Sequence, residues 1–164
     1  MNIVEILENQ INQRLILEGI DRIRTCLTYL SHDDIWFALN TNVTTIGSLI
    51  LHLDGNVRQW LLVTLIDLDY IRQRDDEFAP AVKHKKTDLL NILSALQSDI
   101  EKISLTNVNL TQEVNIQGFQ ETVLGVIIHV IEHFSYHVGQ ITTLTKIAKN
   151  VNTAYYEDLD LNII

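Results

Sequence analysis

The residues of this chain best suited to chemistry are histidines. Three of the six, His129, His133 and His137, stand four residues apart in the run His129-Val130-Ile131-Glu132-His133-Phe134-Ser135-Tyr136-His137-Val138-Gly139-Gln140. On an α-helix, four residues advance the chain by about 6 Å and turn it about 40° past a full circle, so successive members share one stripe. A neutral imidazole offers a lone pair to a borderline divalent metal at neutral pH without first giving up a firmly held proton. Glu132 adjoins His133 but projects roughly 100° away around a helix, and reads as a solvated charge. The order Glu-His also departs from HExxH, in which the general base directly follows the first ligand.

An HxxxH pair carries little weight alone, since exposed or core-lining histidines fall at that spacing by chance. The weighing changes with His52, which borders the apolar stripe Leu49, Leu53 and Trp60 of a separate helical segment. Helices packed side by side would turn it inward or toward the mouth of a groove. Imidazoles from two helices then make one face of ligands and leave positions for water or substrate, as catalytic zinc sites do. Asn56 and Gln59 lie near the His52 face, where they would orient a ligand or simply meet solvent. His32 and His84 fall in connections and read as ordinary surface groups.

Two segments, Ser48-Leu49-Ile50-Leu51-His52-Leu53-Asp54-Gly55-Asn56 and His129 through Gln140, resemble the signature segments of the DinB-like superfamily, and the likeness spans most of the chain. The resemblance implies a four-helix bundle in which a histidine of the second helix and the HxxxH pair of the last helix bind a metal. Carried over residue by residue, the ligands are His52, His133 and His137; the Gly139-Gln140 that follows also matches. His129 falls outside the carried-over positions and is read as second to the ligands or as lining of their pocket, with a structural role fitting equally well. Bacillithiol S-transferases belong to that superfamily, and mycothiol-dependent maleylpyruvate isomerases look similar in fold and metal site. The resemblance also implies a homodimer. A shared superfamily does not fix an activity.

Positioning these groups falls to long helices. Pro80 is the single proline and there are six glycines, a scarcity that suits helices better than short strands and turns. Apolar residues at spacings of three and four predict a first helix from about Ile3 to Leu30, with Gly19 as a point of bending. Ser31-His32-Asp33-Asp34 offers an N-cap and an acidic first turn for a short helix. Thr44 or Thr45 would cap a second long helix running to about Ile66. The stretch from Asp67 to His84, with the charged patch Arg72 to Glu77, reads as a long crossover connection outside the core. Thr87-Asp88 opens a third helix to about Ser104. Leu105 to Gln117 alternates polar and apolar residues, as a small hairpin or extended connection would, and Gly118 marks the start of a fourth helix, from about Gln120 to Lys149. The tail after Asn150, with Tyr155, Tyr156, Leu159 and Leu161, is expected to pack. The expected fold is all-α: a four-helix bundle, with that crossover between helices 2 and 3 and a small hairpin before helix 4, formed by residues 1–164 as a single domain.

Composition narrows the chemistry. A net charge of -9 and the absence of a Lys/Arg cluster speak against nucleic acid as a partner. Lys83, Lys85 and Lys86 read as a solvated loop or helix start. Cys26 is the only cysteine, so a Cys-based zinc motif and an internal disulfide are excluded. Met1 to Glu5 lack the basic start of a signal peptide, and the apolar runs around Trp60 and Val130 fall short of the roughly 20 residues that cross a bilayer. A soluble, cytoplasmic protein is expected.

Two functions fit. In one, a divalent metal, zinc or nickel first and iron or cobalt next, activates water or a low-molecular-weight thiol against a small electrophile, giving a thiol S-transferase or hydrolase. In the other, the same bundle binds a metal or ligand without catalysis.

Overall fold

The computed structural model describes residues 2–79 and 83–163; Pro80, expected in the crossover, lies outside the described residues. The protein is mostly helical, with six helices and one two-stranded sheet among the described residues. Helix α1 (residues 3–29) begins at Asn2, whose side chain accepts the Glu5 N–H while the Glu5 carboxylate accepts the Asn2 N–H. Between Asn12 and Ile20 it widens to the five-residue hydrogen-bonding step, shown where the Asp21 N–H reaches Ile16 O. Gly19 lies in this wide stretch, and Phe134 occupies the space its side chain would need.

After the short helix α2 (His32–Ile35), capped by Ser31, helix α3 (residues 46–66) starts at Thr45, whose hydroxyl accepts the Ser48 N–H. A second widening covers Arg58–Leu62, beginning two residues after Asn56, and includes Trp60. The connection that follows carries a further short helix, α4 (Arg74–Phe78). Helix α5 (Lys86–Ile100) closes a turn earlier than its apolar spacing predicts. Lys86 donates from Nζ to the carbonyls of Leu27 and Leu30 at 2.9 and 2.7 Å, so part of the basic run satisfies the open end of α1 instead of meeting only solvent.

The region before the last helix is a true hairpin: β1 (Glu113–Ile116) pairs antiparallel with β2 (Phe119–Thr122), Ile116 opposite Phe119. Gln117 and Gly118 both take positive φ, 53° and 83°, the geometry of a tight two-residue turn. Gly118 therefore turns a strand back on itself rather than opening a helix. Helix α6 (Val123–Lys149) begins three residues later than expected, because β2 uses the preceding residues; Thr122 caps it through the Gly125 N–H.

Helix α6 packs against α1 and α3, and α3 also meets α5 and α4. The core between them is aliphatic, with Leu15, Ile20, Ile23, Leu53, Leu61, Leu93, Val130 and Phe134 fully buried. Part of the tail packs as expected: Tyr155 bonds Thr142 and reaches Cys26 on α1, while Leu159 and Leu161 stay exposed. No described helix is long and apolar enough to cross a membrane.

Candidate metal centre

The rigid walls of this centre are α3 and α6. Leu49, Ile50, Leu53 and Val57 bury one side of α3 and fix its rotation, which holds His52 in the interior at 6% exposure. On α6 the core residues Val126, Val130, Phe134 and Val138 set the rotation, and His129, His133 and His137 follow the border of that stripe.

The two helices bring together the three histidines singled out by the sequence. One ring nitrogen from each of His52, His133 and His137 lies within 4.8 Å of the others, close enough to hold one metal ion. His52 Nε2 and His133 Nε2 face each other at 3.1 Å. The outer nitrogens of two rings are occupied by the protein. His52 Nδ1 lies 2.9 Å from Glu77 Oε2, and His137 Nδ1 lies 2.7 Å from Gln140 Oε1. An acceptor at Nδ1 fixes the hydrogen there and leaves Nε2 as a lone pair, the form a metal ligand needs. Burial, followed by the nearby charges of His137 and His52, pushes His133 down to about 3, and burial also lowers His137. Both shifts favour the uncharged ring. The buried Nδ1 of His133 has no protein partner.

His129 takes the place of a lining residue. Its ring lies tilted against Trp60 with 4.3 Å between centroids and borders a cleft of about 440 Å³ beside His52, Asn56, Arg72 and His133. Glu132 points outward, as its helical angle requires. Asn56 is buried at the cleft, and its Oδ1 has no protein partner. Gln59 is tied down instead of solvated: its Oε1 accepts from Arg72 Nη1 at 3.2 Å and from Gln117 Nε2 at 2.6 Å.

A family model described as a protein of unknown function, DUF1572, matches residues 9–161 of the chain. The chain belongs to DUF1572. No curated protein and no solved structure matches it. In this DUF1572 chain the matched region takes in all three clustered histidines as well as the connection between α3 and α5.

That connection holds the residues the sequence did not reveal. Arg72 and Glu77 stand in a patch read as solvated charge, yet their side chains are only 3% and 8% exposed. Burial alone would raise the Glu77 carboxyl, but hydrogen bonds from Arg72 and His52 outweigh it and hold the group below its ordinary value. The signal available in the sequence was Gly55, a glycine inside a helix one turn from His52: a Cβ there would collide with Glu77 Oε1.

Proposed function

We propose that this chain is a metal-dependent enzyme of the DinB-like kind, holding one divalent cation on His52, His133 and His137 and acting on a small electrophile. The observation that carries the reading is the arrangement of the rings: three imidazoles converge, and the outer nitrogens of His52 and His137 are engaged by Glu77 and Gln140. A three-histidine donor set suits zinc or nickel, and accepts iron or cobalt. Such an ion supplies Lewis acidity that favours the deprotonated form of a thiol or of water.

The protein's own groups supply the rest. Trp60, His129 and Asn56 shape the cleft beside the histidines, and its volume suits a small molecule. The nucleophile in this reading is water or a low-molecular-weight thiol, giving hydrolase or thiol S-transferase chemistry. Cys26 does not serve: it is buried on α1 against Tyr155 and Thr142. The four long helices belong, in the same reading, to one bundle domain with a crossover between α3 and α5. A cytoplasmic homodimer completes it; Ile128, Tyr136 and Ile147 offer exposed apolar surface along α6 for the pairing.

The test is turnover. Purified protein is assayed for transfer of several small thiols to a generic electrophile, and for hydrolysis of the same electrophile, with and without chelator. Chelator-sensitive turnover restored by added zinc or nickel supports the enzyme. Metal-dependent melting without turnover under any of these conditions contradicts it, and leaves a metal-binding protein.

A further inference from the structure

We infer that Arg72 and Glu77 are a positioning pair for His52: the Glu77 carboxylate holds the Nδ1–H tautomer of that ring and leaves the Nε2 lone pair directed at His133 and His137. The inference deepens the metal reading, but the tautomer can be observed without any ion.

Placing this pair inside the protein is costly. Two charges taken from water lose several kcal/mol of hydration each, and apolar side chains of similar size often replace such pairs without loss of stability. Here the chain nevertheless buries Arg72 and Glu77 almost fully, and α3 makes room for them with a glycine where any side chain would strike Glu77 Oε1. Local stability gives little reason for that expense; orientation of the His52 ring gives one.

The carboxylate is fixed from behind. Arg72 Nε and Nη2 grip its two oxygens, the second at 2.7 Å, and Arg72 Nη1 is anchored on Gln59. Gln59 is bonded in turn to Gln117, whose Oε1 accepts the Trp60 indole N–H at 3.1 Å. The positioning thus runs from the hairpin turn, through Arg72, to His52.

His52 Nδ1 has two polar neighbours, Glu77 Oε2 at 2.9 Å and Arg72 Nη2 at 3.0 Å. Only one can be its partner, and the choice sets the tautomer. Arg72 Nη2 already has acceptors for both of its hydrogens, Glu77 Oε2 and, at 3.4 Å, the carbonyl of His52 itself. A bare Nδ1 would set its lone pair against those of the carboxylate. The hydrogen therefore belongs on Nδ1, and the arrangement matches the carboxylate–histidine pairs that orient metal ligands.

Long-range proton–nitrogen NMR spectra of the metal-free protein read the tautomer directly. Wild type should show His52 protonated on Nδ1. Glu77→Gln keeps an acceptor and should keep that tautomer, while its lost charge weakens zinc binding. The double variant Arg72→Met with Glu77→Leu removes the pair without stranding a buried charge, so it should fold, lose the Nδ1–H preference, and bind zinc about 10- to 100-fold more weakly. A wild-type His52 protonated on Nε2, or an unchanged Nδ1–H signal in the double variant, overturns the inference. If wild type takes up no metal, the reading of the three histidines as ligands fails, and the tautomer still decides the role of the pair.

Discussion

His137 Nδ1 and Gln140 Oε1 meet at 2.7 Å across one turn of α6. The Gln140 amide is itself held, donating from Nε2 to the Tyr136 hydroxyl at 3.1 Å. The outer face of the His137 ring is thus set by residues of its own helix. Gln140→Leu keeps the size of the side chain and removes the acceptor, so metal affinity should fall roughly 10-fold with little change in melting temperature. Calorimetric titration of zinc into both proteins checks this. Equal affinities would mean that Gln140 does not orient the ring.

Gly19 predicts a cost that helix propensity alone gets wrong. Alanine favours a helix over glycine by about 1 kcal/mol. At this position, however, a Cβ would stand 2.6 Å from Phe134 Cε1 and 2.9 Å from the Arg14 carbonyl. Phe134 is fully buried and has no room to withdraw. Gly19→Ala should therefore lower stability by about 1–3 kcal/mol, as measured by urea denaturation. A stabilised variant would show that the contact between α1 and α6 yields easily.

Asp34 carries a prediction in pH. Its carboxylate accepts from Lys149 Nζ and from the Ser31 N–H and hydroxyl, and these bonds lower it from 3.8 to about 2. A lowered folded-state value means that stability is fully present above the unfolded-state value and is lost as pH falls through the folded one. The melting temperature of wild type should exceed that of Asp34→Asn at pH 5, and the gap should close as pH falls from about 4 to about 2. A gap that stays constant to pH 2 would contradict the assignment.

Much of the frame and the histidine cluster could be read from the sequence. Thr45, the apolar spacing of α3 and the four-residue spacing on α6 are local signals, and each acts through the helix that contains it. His52 could be joined to His133 because both border stripes that must face the core. Arg72 and Glu77 could not be found in that way. Asp75, Asp76 and Glu77 look alike as sequence, and only the return of the chain over Gly55 buries the last of them while the other two face solvent. Gly118 was ambiguous for a related reason: a glycine serves a helix start or a tight turn equally well, and the pairing of Ile116 with Phe119 decides. Packing between distant segments, absent from any local pattern, chose for Arg72 and Glu77; the pairing of two neighbouring strands chose for Gly118.

The central claim is that three side chains from two helices hold one ion. Elemental analysis of untagged protein, purified without added metal or chelator and then reconstituted with zinc or nickel, measures it most directly. One equivalent per chain is expected in wild type, with retention lost in His52→Ala, His133→Ala and His137→Ala but not in His32→Ala. Wild type that retains no metal after reconstitution, or triple-alanine protein that still retains one equivalent, would contradict the claim.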